Sequence, residues 1–137
     1  MRNEQQMLEL ILSTARQDER IRAVCLEGSR TNPKAPRDIF QDYDVVYVVG
    51  ETASFQQDKG WIDRFGERLY MQYPEDHPVY SSDREHCYGW LIHFADGNRL
   101  DLHVFRRRLG AGTRCQGQPV HRFAGQGWDV CRPQACR

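Results

Sequence analysis

The chain has 137 residues, 19 basic and 19 acidic side chains and a hydrophobic fraction of 39%, which is enough for one domain with a buried core. Its longest apolar run, residues 45–49, is strand-sized and far below the roughly 18 residues of a membrane span, so we expect no membrane protein. The first six residues carry acidic and amide side chains where a secretory signal has an apolar core, so we expect no such signal.

The zero net charge conceals two regions of opposite charge. Residues 1–105 carry 12 Lys and Arg against 18 Asp and Glu, whereas residues 106–137 carry seven arginines and a single acid, Asp129. The second region also holds five glycines, two prolines and three of the five cysteines, and it has no sustained helix or strand periodicity. We therefore expect a folded domain over residues 1–105 and an irregular tail over residues 106–137.

Hydrophobic periodicity predicts interleaved helices and strands in the first region. Asn3 and Gln6 have the spacing of a helix N-cap and its capping-box partner, and a broad apolar stripe follows them. The run at residues 43–49 is apolar on both faces after Asp44, which is typical of a central strand. An Asp-Gly-Asn sequence at residues 96–98 predicts a hairpin turn.

This order of elements indicates an α/β or α+β sheet domain. In chain order, we expect a helix over residues 4–18, strands over 21–27 and 43–49, a short helix over 54–66, a strand over 69–73, a loop over 77–85, and strands over 88–94 and 99–105.

Three aspartates are the candidates for chemistry. Asp42 and Asp44 lie two residues apart at the start of a strand, so their carboxylates point to one face, about 7 Å apart. Two carboxylates at this spacing can converge on one divalent cation or bracket two, and hard oxygen ligands suit Mg²⁺. Asp101 lies between two leucines and so faces away from them, towards a cleft. Taken singly, each acid also fits a strand-end cap or a solvated edge; the pair favours a metal site.

A glycine and a serine directly follow the first predicted strand. Gly28 would let backbone amides approach a phosphate closely, and the Ser29 hydroxyl would add a donor. A Gly-Ser pair alone is more often a simple turn, so its position upstream of the Asp-x-Asp pair gives it meaning.

The order of these elements along the chain resembles the polymerase-beta type of nucleotidyltransferase. In that order, a strand is followed by Gly-Ser, a loop, a strand with Asp-x-Asp and a later strand with one Asp. This resemblance implies an α+β fold, with a mixed sheet flanked by helices. Longer blocks resemble the aminoglycoside 6-adenylyltransferases, the streptomycin adenylyltransferases of bacteria, and together they cover residues 1 to about 105. These blocks lie at residues 18–24, 28–30, 38–49, 61–66 and 94–102.

The resemblance implies an enzyme of antibiotic resistance. Such an enzyme transfers AMP from ATP to the 6-hydroxyl of streptomycin and releases pyrophosphate, with Mg²⁺ required. From the residues themselves we expect no nucleic-acid partner, because three consecutive arginines at 106–108 form no recognisable module, and no membrane partner. The matching positions are Asp42 and Asp44 as metal ligands, Asp101 as a third carboxylate that ligates metal or accepts the hydroxyl proton, and Gly28, Ser29 and Arg30 lining the triphosphate.

The tail departs from the family pattern. Family members are longer and have a helical C-terminal domain that closes over the antibiotic, and nothing after residue 105 resembles it. The Arg, Gly and Cys content is typical of a GC-rich gene read out of frame, so we expect a frameshifted or truncated product; a genuine short variant is the alternative. Two other functions stay open: an inactive fragment that retains only the Mg-ATP half-site, and a minimal nucleotidyltransferase that works with a separate helical partner.

The cysteines and His103 are not expected to carry chemistry. The odd cysteine count and the lack of tight spacing indicate reduced thiols in a cytoplasm, and Cys25 fits an inert core thiol. The cysteines and histidine of the tail match no compact zinc motif. His103 shares the face of Asp101 and is expected to be packed or partly exposed.

Overall fold

Six strands form one mixed sheet in the computed structural model, which describes residues 1–79 and 81–106 and the backbone of residues 119–121. The elements are α1 (Glu4–Gln17), β1 (Ile21–Glu27), β2 (Tyr43–Val49), α2 (Ala53–Gln57), β3 (Arg68–Gln72), β4 (Cys87–Phe94), β5 (Arg99–Arg106) and β6 (Pro119–His121), with short 3-10 turns at Ser29–Thr31, Trp61–Phe65 and Pro74–Asp76.

The strand order is β3-β4-β5-β2-β1-β6. The β2–β5 pair is parallel and every other pair is antiparallel, so the expected mixed sheet and α+β class are confirmed. In the β2–β5 register, Asp44 lies opposite Asp101. This pairing joins two segments that are far apart in sequence, and it places the candidate acids next to each other.

The first helix begins where the sequence predicts. Asn3 Oδ1 accepts the backbone N–H of Gln6 at 2.9 Å, while Gln6 Oε1 accepts the backbone N–H of Asn3 at 2.9 Å, so the capping box is complete. The apolar face of α1 packs on the sheet, and the buried Tyr47 hydroxyl donates to the backbone carbonyl of Ile11 at 2.6 Å. These contacts fix α1 against one face of β2.

Strand alternation separates the core from the candidate site. Tyr43 and Tyr47 point into the main core, which α1 covers, and Asp44 between them points to the other face. On β5, Leu100 and Leu102 enter the same core, so Asp101 also points to the face opposite α1. The predicted orientation of both acids relative to the core is therefore confirmed.

The single helix predicted over residues 54–66 is wrong. The segment consists of α2 and a separate 3-10 turn that begins at Trp61. Between them, the Asp58 carboxylate accepts the backbone N–H of Gly60 at 3.2 Å, a local turn that competes with helical hydrogen bonding. Trp61 is 1% exposed and packs edge-on against Phe55, so the turn delivers a large aromatic side chain to the core.

The cysteines and the tail differ from the sequence expectations or lie outside the described residues. Cys25 is buried as expected, but Cys25 and Cys87 are both disulfide-bonded, so the prediction of reduced thiols is wrong for these two residues. Of the predicted irregular tail over residues 106–137, the structure describes Arg106, which is the last residue of β5, and the backbone of Pro119–His121, which pairs with β1. The rest of the tail lies outside the described residues. Among the helices of the described part, none has the length and apolarity needed to cross a bilayer.

Candidate active site

Three carboxylates converge at the start of β2 and on the adjoining strand. Asp42 precedes β2, Asp44 is its second residue, and Asp101 is opposite Asp44 on β5. One oxygen from each of the three side chains lies within 4.8 Å of the others, and all three residues are half-buried. We call this group the aspartate cluster; the structure brings together all three acids that the sequence predicts.

The aspartate cluster concentrates negative charge in a partly desolvated place. Burial raises the pKa of Asp44 to about 6, and the nearby carboxylates of Asp42 and Asp101 add to this rise. Burial is also the main cause of a raised pKa at Asp101, with Asp42 the next contributor. Like charges held this close favour a bound cation, because a cation offsets their mutual repulsion.

Gly28 lies against the aspartate cluster. Its φ is +68°, a backbone conformation that residues with a Cβ rarely adopt, and a Cβ built there would overlap the Asp44 carboxylate. The turn after β1 can therefore approach β2 this closely only with glycine at position 28. This close approach places the backbone of the turn beside the site, as the sequence pattern predicts.

Ser29 follows in a short 3-10 turn. Its hydroxyl oxygen accepts a hydrogen bond from Gln41 Nε2 at 3.0 Å. Gln41 directly precedes Asp42, so this bond ties the Gly-Ser turn to the segment that leads into the aspartate cluster. The hydrogen bond holds Ser29 close to the start of the aspartate cluster. The phosphate-lining role of Ser29 stays a prediction.

Arg30 is occupied by contacts within the protein. Its Nε donates to the carbonyl of Asp42 at 2.9 Å and its Nη2 to the carbonyl of Gln41 at 2.6 Å, while the guanidinium stacks over the Tyr43 ring at 3.7 Å. The side chain is 7% exposed and also lies 3.5 Å from Glu4. These contacts favour a positioning role for Arg30, in which it fixes the backbone before Asp44. Contact between Arg30 and a triphosphate stays a prediction, and the observed contacts do not support it.

Two charged residues at the site were missed by the sequence reasoning. Glu27, the last residue of β1, lies opposite Asp44 in the strand register; its Oε1 is buried without a hydrogen bond to any described residue, and burial raises its pKa. Arg99, the first residue of β5, places Nη2 3.8 Å from Oδ2 of Asp42. The sequence did hold a signal that Arg99 lies at the site: it precedes Asp101 by two residues, so both side chains lie on the same face of a strand.

His103 is the next residue on the Asp101 face of β5. Its imidazole lies against Gly89, where a Cβ would overlap the ring, and its Nε2 is 3.7 Å from Oε1 of the buried Glu75. Burial lowers the pKa of His103, which favours the neutral ring. The side chain is 26% exposed, in agreement with the expected packed or partly exposed histidine.

A mixed sheet that presents an Asp-x-Asp pair beside a third aspartate is the arrangement of a nucleotidyltransferase fold. The streptomycin adenylyltransferase family matches residues 1–113, most of the chain and somewhat beyond the predicted limit at residue 105. The chain therefore belongs to the streptomycin adenylyltransferase family, which confirms the resemblance seen in its sequence blocks.

Curated relatives and a solved structure agree with this assignment. The chain is 47% identical over 102 residues to an aminoglycoside 6-adenylyltransferase of Bacillus subtilis and 43% identical over 102 residues to one of Campylobacter jejuni. These matches take in 74% of this chain and 36% and 35% of the relatives. The crystal structure of an aminoglycoside 6-adenyltransferase from Bacillus subtilis superposes with a TM-score of 0.65 and 38% identity, covering 77% of this chain and 36% of that one. The chain thus spans about a third of the length of these proteins.

Proposed function

We propose that this chain carries the Mg-ATP site of an aminoglycoside 6-adenylyltransferase, which transfers AMP from ATP to a hydroxyl of streptomycin. The observation that carries the proposal is the convergence of Asp42, Asp44 and Asp101 on one face of the sheet. Family membership supports the same chemistry, because the curated relatives bear the name aminoglycoside 6-adenylyltransferase.

The donor set fits a hard divalent cation. Asp42, Asp44 and Asp101 offer only carboxylate oxygens, which are the ligands that Mg²⁺ prefers, and their crowding leaves an excess of negative charge for a cation to offset. When bound, the metal supplies neutralisation of the charge on the nucleotide phosphates.

Other groups of the protein orient the nucleotide and the acceptor hydroxyl. The left-handed backbone of Gly28 brings the turn after β1 beside the cluster, where its amides and the Ser29 hydroxyl orient the phosphate chain. The acceptor hydroxyl oxygen forms a bond to the α-phosphorus as the bond to the β-phosphate oxygen breaks, and pyrophosphate leaves. A carboxylate oxygen of Asp101 takes the proton of that hydroxyl; if Asp101 instead served as a third ligand of the metal, the proton would pass to solvent. Most of the catalytic benefit comes from alignment, which contributes roughly 7–11 kcal/mol in well-oriented reactions.

A second candidate function follows from the length of the match. The chain spans 36% of the Bacillus subtilis relative, so the part of that protein beyond the match has no counterpart among the residues aligned here. The alternative is a domain that binds Mg-ATP without turnover, or one that acts with a separate helical partner that completes the streptomycin site.

Pyrophosphate release distinguishes these functions. With ATP, Mg²⁺ and streptomycin, we expect release that depends on the drug and is absent from an Asp42→Asn, Asp44→Asn double variant. For the 137 residues assayed alone, we expect a rate orders of magnitude below the roughly 1–10³ s⁻¹ of typical enzymes, because the aligned part covers 36% of the Bacillus subtilis relative and we expect it to supply only part of the contacts that orient the drug. Mg-ATP binding without drug-dependent release would favour the alternative, and absence of Mg-ATP binding would contradict both.

A further inference from the structure

Arg99 is a cation beside the aspartate cluster that the proposed reaction has not used. It begins β5 two residues before Asp101, so both side chains lie on the face opposite α1. Of the ion pairs in the described part of the chain, the one that involves an aspartate of the cluster joins Arg99 Nη2 to Asp42 Oδ2, at 3.8 Å.

The guanidinium of Arg99 has donors to spare. Its Nε is buried without a hydrogen-bond partner within the described residues, and 3.8 Å to Asp42 is too long for a hydrogen bond. The side chain as a whole is 43% exposed, so its outer nitrogens are open to a ligand. Arg30 differs on each point, because it is 7% exposed and donates to two backbone carbonyls.

The electrostatic setting indicates what kind of ligand Arg99 would take. Carboxylates surround the site, namely Glu27, Asp42, Asp44 and Asp101, and they repel any phosphate that enters without compensation. A guanidinium offers paired N–H donors that match phosphate oxygens and keeps its charge in a partly desolvated place. Arg99 is therefore placed to bind an anion that arrives at the aspartate cluster.

We propose that Arg99 binds a phosphate group of the nucleotide and thereby takes the place that the family resemblance assigned to Arg30. The inference rests on the proposed nucleotide site, and it assigns the cation that recognises the triphosphate there. On binding, Arg99 exchanges its long contact with Asp42 for hydrogen bonds to phosphate oxygens. The competing role is that of a structural counter-ion, in which Arg99 only neutralises Asp42 and touches no ligand.

The test compares ligands with and without phosphate on the full chain. Calorimetry measures Mg-ATP and adenosine binding to the wild type, Arg99→Gln, Arg99→Lys and the control Arg16→Gln, which removes the same charge from an exposed position on α1. Binding of Mn²⁺ alone, followed by its paramagnetic resonance signal, reports whether the aspartate cluster is intact in each variant.

We expect Arg99→Gln to weaken Mg-ATP binding about tenfold or more, as loss of a charged hydrogen bond does, with adenosine binding unchanged and Mn²⁺ binding at least as tight as in the wild type. Arg99→Lys should recover part of the affinity, and Arg16→Gln should match the wild type. Equal Mg-ATP affinity in Arg99→Gln and the wild type would overturn the proposed role of Arg99, and so would an equal loss of adenosine affinity. Either result would leave the proposed function standing. A wild type that binds no Mg-ATP would overturn both this inference and the proposed function.

Discussion

The α-carbon of Gly28 lies so close to the Asp44 carboxylate that a methyl group on it would overlap a carboxylate oxygen. This contact joins the turn after β1 to the central strand, and it explains why a glycine precedes the serine at this point. Because of this contact, even the methyl group of alanine at position 28 would displace the Asp44 carboxylate.

Replacing Gly28 with alanine should displace Asp44 and weaken Mg-ATP binding about tenfold or more. The change should also lower the free energy of unfolding by about 1 kcal/mol, since an L-residue is disfavoured at φ +68°. The matched control is Gly50→Ala, because no described residue has an atom within 4 Å of a Cβ at that position. Calorimetry and urea unfolding measure the two effects; indistinguishable Mg-ATP affinities in the two variants would contradict the proposed link between the turn and the site.

Asp18 should matter for stability and not for the site. Its carboxylate is 8% exposed and accepts hydrogen bonds from Arg20 Nη2 at 2.6 Å and Trp61 Nε1 at 2.9 Å. Burial acts to raise the pKa of Asp18, but the hydrogen bonds from Arg20 and Trp61 outweigh it and lower the pKa. We expect Asp18→Asn to lower the free energy of unfolding by about 2 kcal/mol, because a buried charged acceptor is lost.

The measurement for Asp18→Asn is urea unfolding followed by tryptophan fluorescence, in parallel with Mg-ATP calorimetry. Unchanged stability, or a loss of nucleotide affinity larger than the loss for Gly28→Ala, would contradict the assignment of Asp18 to the fold.

Asp96 should make the stability depend on acid pH. The Asp96 carboxylate accepts hydrogen bonds from the backbone N–H of Arg2 at 3.0 Å and from Arg2 Nε at 2.6 Å. It also accepts one from the backbone N–H of Asn98. Burial opposes ionisation of Asp96, but these hydrogen bonds outweigh it and lower its pKa well below the usual range. A carboxyl with a lowered pKa in the folded state stabilises the fold above its unfolded pKa of about 3.9, and this contribution is lost as pH falls below that value.

The variant Asp96→Asn should therefore be less stable than the wild type by about 2 kcal/mol at pH 7, and the difference should shrink as pH is lowered through about 4 and below. Urea unfolding at a series of pH values measures this difference. A constant difference between pH 7 and pH 3 would contradict the assignment of the stabilisation to the ionised carboxylate.

Local patterns were sufficient for most of the fold. The bounds of β1 and β2 agree with the predicted ranges 21–27 and 43–49, because their apolar runs are bounded by polar residues and turns. The helix predicted over residues 54–66 is in fact two elements, since a local Asp58 turn competes with the helix within that range.

The site was predicted less completely than the fold. Its three aspartates follow from strand alternation, and the structure places them together. The different settings of Arg30 and Arg99 depend on side-chain packing and on the parallel β2–β5 register, which joins distant segments and leaves no periodic signal. Sequence order near a motif was therefore a poor guide to which arginine has donors available.

The central claim is that Asp42 and Asp44 hold the metal that brings the nucleotide to this sheet. Calorimetric titration of Mg-ATP into the full chain tests it most directly, with an Asp42→Asn, Asp44→Asn double variant and a Glu19→Gln, Glu67→Gln control that removes two exposed charges elsewhere. We predict Mg-dependent ATP binding by the wild type and the control, and its loss in the aspartate variant with the circular dichroism spectrum unchanged. Equal Mg-ATP affinity in the aspartate variant and the wild type would contradict the claim.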